Sequence, residues 1–131
     1  MNVKLNPDTI HAPAGNYVHT VKTPANAEWL TISGQVGVGK NGKLASGALK
    51  QTERAYRNIL ACLKANGMGK EDLIKTVVYL TDSRHIEAFR AARDKVLGTE
   101  SPPASTLLII DGLAHPDMLV EIEATAAKAA N

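Results

Sequence analysis

Two glutamates near the end of the chain, Glu121 and Glu123, alternate with apolar residues in the run Leu119-Val-Glu-Ile-Glu-Ala124. Successive side chains of a β-strand point to opposite faces, so the alternation predicts both carboxylates on one face and the apolar residues on the other. A pair of carboxylates can serve as a general acid or base. A solvated strand face shows the same pattern, so both interpretations remain open.

The other residues that often carry chemistry do not form a catalytic motif. The segment Gly37–Lys43 has the glycine and lysine spacing of a phosphate-binding loop, but Leu44 follows where such a loop has Ser or Thr. Its Asn41-Gly42 pair instead predicts a hairpin turn.

No serine lies in a Gly-x-Ser-x-Gly elbow. Cys62 falls beside the apolar stripe of a predicted helix, where we expect a packed thiol. The histidines, which lack metal-ligand spacing, are His11, His19, His85 and His115.

The charge is nearly balanced and evenly spread. Fifteen lysines and arginines stand against thirteen aspartates and glutamates, a net charge of +2, which gives no support to a nucleic-acid partner. One cysteine cannot form an internal disulfide, and no apolar stretch is long enough to cross a membrane. The first eleven residues lack the apolar core of a secretory signal. We therefore expect a cytoplasmic protein with no membrane partner.

Hydrophobic periodicity predicts a mixed α/β domain over residues 1–131. The predicted strands are Tyr17–Lys22, Glu28–Gln35, Ile74–Thr81, Ser105–Asp111 and Met118–Thr125. The predicted helices are Ala48–Asn66 and a second one whose apolar stripe is Ile86, Phe89, Val96 and Leu97. Gly67 and Gly98 are placed to end these helices. The first sixteen residues are predicted to form a loop, and an alanine-rich tail follows the last strand. The order β-β-(β)-α-β-α-β-β, with the third strand optional, indicates one sheet with two helices on one face.

One predicted strand has a consequence for assembly. The run Thr106-Leu-Leu-Ile-Ile110 does not alternate between apolar and polar residues. Such a strand is usually buried on both faces. If the helices cover one face, we expect a second copy of the chain to cover the other. The alternative is that the N-terminal loop covers it.

Four segments together resemble the reactive intermediate deaminase (Rid, YjgF-like) family. They are Gly15-Asn-Tyr-Val18, Thr31-Ile-Ser-Gly-Gln35, Ile74-Lys-Thr-Val-Val-Tyr-Leu-Thr-Asp82, and Pro103-Ala-Ser105 followed by Val120-Glu-Ile-Glu-Ala124. The resemblance implies a chorismate-mutase-like α/β (α+β) fold in a homotrimer, with three sheets forming an inner barrel and active sites in clefts between subunits. It also implies hydrolysis of enamines and imines, such as 2-aminoacrylate, to 2-oxo acids and ammonia, with no metal or organic cofactor.

The resemblance also assigns residues to the site. Glu121 matches the family glutamate that positions or activates the attacking water. The positions that it implies for substrate binding are Tyr17, Ser33, Tyr79, Ala104, Ser105 and Thr106. Tyr79 stands where members usually have phenylalanine or another aromatic residue, and Thr106 stands where many have cysteine.

The chain departs from the family pattern at Ala104. The family motif Pro-Ala-Arg-Ser is replaced by Pro102-Pro-Ala-Ser105, so alanine stands where an arginine grips the substrate carboxylate with a two-pronged hydrogen bond. Loss of such an anchor, worth roughly 1.5–3 kcal/mol, weakens carboxylate binding by about ten- to a hundredfold. The candidates to supply a cation from elsewhere are His19, Lys40 and Arg93.

Two functions are compatible with this pattern. The first is a Rid-type deaminase with an altered choice of enamine or imine, in which Glu121 handles the protons. The second is a non-catalytic protein that binds or protects a small molecule on the same scaffold. Family members have also been named as translation inhibitors with ribonuclease activity, which the scattered charge of this chain does not support.

Overall fold

Short extended segments and two helices alternate along the chain. The computed structural model describes residues 1–131. The strands are β1 (Val3–Leu5), β2 (Thr20–Lys22), β3 (Ala27–Val36), β4 (Leu73–Leu80), β5 (Ala104–Ile109) and β6 (Val120–Ala129), and the helices are α1 (Ala48–Ala65) and α2 (Ile86–Leu97). Single turns of 3-10 helix, Lys70–Asp72 and Ser83–His85, precede β4 and α2.

Four of the strands form one sheet in the order β3-β6-β4-β5. β6 runs antiparallel to both of its neighbours, whereas β4 and β5 are parallel and are connected through α2. β1 and β2 form a separate antiparallel pair. Both helices pack on one face of the four-stranded sheet, which confirms the predicted α+β fold class.

The core lies between the two helices and this face of the sheet. The apolar stripe of α1 contributes Tyr56, Ile59 and Leu63, and α2 contributes Phe89, all of them buried. β4 and β6 turn every second side chain toward the helices. The residues that they bury in this way include Val78, Leu80, Val120, Ile122 and Ala124. The predicted alternation along β6 is therefore confirmed.

Glycines end both helices where the sequence predicts it. Gly67 follows α1 with a φ of 71°, and Gly98 follows α2 with a φ of 74°. Side chains with a Cβ rarely adopt this left-handed conformation, so glycine turns the chain away from the helix at low cost. After Gly67 the amide of Met68 donates back to the carbonyl of Leu63 at 2.9 Å, which satisfies one of the last free carbonyls of α1.

The two ends of the chain differ from the sequence prediction. β1 lies in the predicted N-terminal loop, where it pairs with β2. β6 continues through the predicted alanine-rich tail to Ala129. Ala126 and Ala127 are fully buried opposite Leu30 and Trp29, so the small side chains serve packing against β3 rather than a free tail.

Two predicted strands near the N-terminus are shorter than expected. The strand predicted from Tyr17 begins only at Thr20, because the Tyr17 amide turns back to the carbonyl of Gly15 at 3.0 Å. The optional third strand is a single bridge between Val38 and Leu44. It closes the predicted turn, in which Gly42 has a φ of 79°.

A buried glutamine fixes α1 to the loop that leads into β6. The Gln51 side chain is 2% exposed. Its amide nitrogen donates to the carbonyls of Ala45 and Asp117, each at 3.0 Å, and its oxygen accepts from the amide of Leu119 at 2.9 Å. One side chain thus satisfies three backbone groups, two of which immediately precede the carboxylate strand.

We expect Gln51→Leu to destabilise the protein, because it leaves these three backbone groups without a partner. Unsatisfied buried polar groups cost about 1–3 kcal/mol each, and partial hydration of the loop makes a total of roughly 2–4 kcal/mol reasonable. The exposed neighbour Lys50 supplies the control Lys50→Leu, with an effect within about 0.5 kcal/mol. Urea unfolding at one protein concentration measures both. Equal midpoints for the two variants would contradict this account of Gln51.

Candidate functional site

The face of the four-stranded sheet opposite the helices, here called the open face, leaves large side chains exposed, although the N-terminal segment reaches one end of it, where the Asn2 side chain donates to the carbonyl of the buried Ala127 at 2.9 Å. Its central strand β4 contributes Lys75, Val77 and Tyr79, which alternate with the buried residues of the core face. Trp29 on β3 is 61% exposed and Leu108 on β5 is 46% exposed. The open face therefore combines polar groups with large apolar side chains.

β5 is an edge strand of this sheet, and the prediction that it is buried on both faces is not met within one chain. Leu107 packs against the core, but Leu108 and Ile109 are nearly half exposed. The N-terminal segment does not cover them, so that alternative is wrong. Cover by a second copy of the chain stays a prediction.

The two glutamates lie side by side on the open face and have different surroundings. In the register between β4 and β6, Tyr79 pairs with Glu121 and Val77 pairs with Glu123. The Tyr79 hydroxyl donates a hydrogen bond to Oε1 of Glu123. That bond is the main reason why the pKa of Tyr79 is raised, with burial and the charges of both glutamates adding to it. Glu121, half-buried, makes no hydrogen bond or ion pair.

A glycine on the neighbouring strand makes room for the Glu121 carboxylate. The register of β3 against β6 shifts between Ile32 and Gln35, which is typical of a β-bulge. Within this bulge Gly34 lies so close to Glu121 that a Cβ would stand 2.7 Å from its Cδ atom. The result is a shallow hollow beside the Glu121 carboxylate. It is lined by Gly34, Tyr79, Ile110, Leu113, Glu121 and Glu123. Ser33, also in the bulge, is exposed beside it.

Sequence reasoning missed Gly34 and the partnership of Glu123 with Tyr79. The signal for Gly34 was available, since a glycine inside a strand often marks a bulge or a close backbone approach. The hydrogen bond from Tyr79 depends on the register between β4 and β6, which lie far apart in the sequence. No local pattern indicates it.

A second group of predicted site residues gathers where β5 begins. Val18 bridges to Ala104, and its amide donates to the carbonyl of Pro103 at 3.2 Å, which holds the preceding Tyr17 near this end of β5. Ala104 pairs with Lys75 of β4. Lys75 Nζ donates to Oγ1 of Thr106 at 2.7 Å.

One chain does not bring these two groups together. On β4, Tyr79 lies beside Glu121 and Lys75 lies beside Ala104. These two β4 residues are four positions apart, which is about 13 Å at the usual rise of a strand. The groups also lie on opposite sides of β4, because Ala104 is on β5 and Glu121 is on β6. Glu121, Ser33 and Tyr79 thus form one group on the open face, and Tyr17, Ala104 and Thr106 form another.

Ser105 belongs to neither group, because its side chain turns toward the helices. Its Oγ accepts a hydrogen bond from Oγ1 of the buried Thr76 at 3.0 Å. It lines a cavity of about 160 Å³ between the sheet and α2, together with Asn16, Tyr56 and Arg93 among others. This cavity is separate from the carboxylate hollow.

None of the three cationic residues considered from the sequence lies on a strand of the four-stranded sheet. Arg93 lines the cavity on the helix side, where its Nε donates to Asp94 Oδ1 at 3.0 Å. Its guanidinium also lies 5.5 Å from the centre of the Phe89 ring. His19 bonds through Nε2 to the carbonyl of His11 at 2.8 Å in the N-terminal segment. Lys40 is exposed beside the hairpin turn.

The structure also shows the surroundings of the cysteine, the possible metal ligands and the two helices. Cys62 is half-buried on α1 and packs against the core, as predicted. No three His, Cys, Asp or Glu side chains lie close enough together to hold a metal ion. Neither helix has the length and apolar character that a membrane span requires.

Known proteins of similar sequence and structure carry related descriptions. The family model described as Endoribonuclease L-PSP matches residues 9–128. A RutC family protein of Pyrococcus horikoshii is 35% identical over 118 residues, which cover 88% of this chain and 90% of that protein. A Rid family protein of unknown function from Yersinia pestis has a TM-score of 0.87 at 27% identity, covering 97% of this chain and 98% of that one. RidA from an Antarctic Psychrobacter has a TM-score of 0.71 at 29% identity, covering 95% and 98%.

We expect Glu123→Gln to lower the pKa of Tyr79 toward its ordinary value, because the variant removes the charged acceptor that stabilises the protonated phenol. Glu121→Gln removes only a more distant charge and serves as the matched control, with a smaller decrease. Phenolate absorbance during a pH titration, after subtraction of the curve for Tyr79→Phe, measures both. Equal decreases in the two variants would show that Tyr79 is not bonded to Glu123 in solution.

Proposed function

Since this chain belongs to the YjgF-like Rid family, described also as Endoribonuclease L-PSP, we propose that it is a hydrolytic deaminase of a small enamine or imine. One observation carries the proposal: Glu121 is a carboxylate without a partner, held over Gly34 on the open face. Its neighbour Glu123 is occupied by Tyr79. A general base needs a free carboxylate that can reach a water molecule, and Glu121 meets this requirement.

The proposed reaction replaces a C=N bond by a C=O bond. An enamine first takes a proton from solvent on carbon and becomes an iminium ion. Water then adds to the C=N carbon while Glu121 accepts one of its protons, which gives a neutral carbinolamine. Glu121 returns this proton to the nitrogen, the C–N bond breaks as the hydroxyl group releases its proton to solvent, and ammonia and a carbonyl compound leave. The sum is imine plus water giving carbonyl compound plus ammonia, so no metal or organic cofactor is needed.

We further propose that the active site forms between subunits of a homotrimer, each a single domain over residues 1–131. The two groups on the open face are too far apart within one chain to contact a small substrate together. A second copy that covers Leu108 and Trp29 would bring its own group around Ala104 toward Glu121. The partners in this proposal are the small substrate and two further copies of the chain, with no nucleic acid or membrane.

The alternative function is small-molecule binding without turnover. The observation that favours it is Ala104, which leaves the start of β5 without the arginine that the resemblance places there. That arginine would also align the C=N carbon with the attacking water, so its loss affects orientation as well as affinity. A protein that binds the substrate but does not turn it over would fit this reading.

We expect Glu121→Gln to lower kcat at least 100-fold, because general acid–base catalysis typically contributes a factor of about 10²–10⁴. Glu123→Gln is the matched control and should retain activity to within about tenfold, since Glu123 supports Tyr79 and does not transfer the proton. Disappearance of 2-aminoacrylate, generated in situ by a serine dehydratase, and of an imine that lacks a carboxylate would be followed with each protein. Wild-type rates for Glu121→Gln would contradict the mechanism. Inactive wild type on both substrates would favour the alternative.

We expect two inactive variants to restore activity when they share an oligomer. Thr106→Trp blocks the group at the start of β5, and Glu121→Gln removes the base from the other group. An intact site needs the β5 group from a Glu121→Gln subunit and the glutamate from a neighbouring Thr106→Trp subunit. If subunits assort at random, about one interface in four has this arrangement, so co-expressed subunits should recover roughly a quarter of the wild-type rate. Separately purified variants, mixed without exchange of subunits, are the control. No recovery in the co-expressed sample would show that each chain holds a complete site.

A further inference from the structure

The cavity between the sheet and α2 has no role in the proposed deamination. Its volume is about 160 Å³, and it lies on the helix side of the sheet, whereas Glu121 lies on the open face. Exposed side chains such as Lys70 and Glu100 line it in part, so the cavity reaches the surface. A space of this size holds a molecule about as large as benzene. Its inner wall combines apolar and polar side chains, namely Tyr56, Leu73, Thr76, Arg93, Leu97 and Ser105.

Tyr56 brings to this cavity a hydroxyl group that has no partner in the chain. The residue is 1% exposed, and its ring lies 6.1 Å from that of Phe89. Burial raises the pKa of Tyr56, and the smaller effects of Arg93 and Asp94 oppose each other, so the phenol stays protonated at neutral pH. Buried polar groups are normally hydrogen-bonded. The hydroxyl is therefore a donor that can find its acceptor only in the cavity.

The other free polar groups of the inner wall are also donors. The Arg93 side chain is 15% exposed, and its Nε is occupied by Asp94, but its two Nη atoms make no hydrogen bond within the chain. Two parallel N–H groups of a guanidinium fit the two oxygen atoms of a carboxylate. Thr76 uses its proton in the bond to Ser105 Oγ, which leaves the Ser105 proton free. A ligand of this cavity must therefore supply acceptors.

The charges around the cavity favour a ligand with a single negative charge. The cations that line it are Lys70 and Arg93, and the carboxylates that line it are Glu71 and Glu100. Lys70 is exposed and donates to the carbonyl of Leu97 at 2.9 Å, whereas Arg93 reaches the inner wall. A doubly charged anion would also meet the two glutamates, which the cations already balance. The apolar part of the wall suits a hydrocarbon group.

We propose that this cavity is a second ligand-binding site, which takes a small monocarboxylate with a short hydrocarbon group. Arg93 binds the two carboxylate oxygens, and Tyr56 donates a further hydrogen bond. The hydrocarbon group packs against Leu73 and Leu97. All of these residues belong to one chain, so the site is complete without a second copy, unlike the site proposed for deamination.

Butyrate, a monocarboxylate of about the right size, and its uncharged amide test the proposal. We expect wild type to bind butyrate at least about tenfold more tightly than butyramide in ligand-observed NMR titrations. Arg93→Met should weaken butyrate binding by about ten- to a hundredfold, and Arg93→Lys should keep the preference for the anion. Tyr56→Phe keeps the ring and removes the hydroxyl, so binding should weaken by about three- to tenfold. Arg90→Met, on the exposed side of the same helix, is the matched control and should bind like wild type.

Variants of the open face separate this cavity from the proposed deaminase site. Thr106→Trp and Glu121→Gln should bind butyrate like wild type, because neither residue lines the cavity. Wild-type affinity for butyrate in both Arg93→Met and Tyr56→Phe, or no preference for butyrate over butyramide, would overturn the proposal. Loss of binding in Thr106→Trp with unchanged binding in Arg93→Met would place the ligand on the open face and would also refute it. No turnover is measured, so the result is independent of the proposed function.

Discussion

The alternation of side chains along β4 and β6 is the constraint on which the rest of the structure depends. Val78, Leu80 and Ile122 bind the sheet to the helices, and the same alternation forces Lys75, Tyr79 and Glu121 to the opposite face. A shift of one residue in either strand would bury the charges and expose the core. The free energy of core packing therefore also fixes the positions of the polar groups.

The open face then distinguishes its two carboxylates by their neighbours. Glu123 accepts a hydrogen bond from Tyr79, whereas the bulge in β3 leaves Glu121 beside a residue without a side chain. Neighbouring carboxylates of identical chemistry thus have different surroundings: one accepts a hydrogen bond from Tyr79, and the other has no partner within the chain. Gly34 matters because any Cβ there would displace the Glu121 carboxylate.

Features that depend on one segment of the chain could be predicted from the sequence. The apolar stripe of α1, the glycines that end both helices and the alternation around Glu121 were all visible locally. The extension of β6 to Ala129 was not, because alanine has no strong strand preference and only its pairing with β3 settles the matter. The position of Lys75 beside Ala104 was missed for the same reason, because it depends on the parallel register of two strands separated by α2.

That register places Lys75 and Ala104 side by side on the open face, because paired residues of parallel strands point to the same face. The Lys75 ammonium donates to Thr106 on β5, so it lies at the start of that strand and away from Glu121 on β6. Within one chain the strand order keeps these two groups of residues apart, and only an interface between copies can bring them together. In the proposed trimer, the geometry between subunits would therefore determine which small molecule contacts both groups.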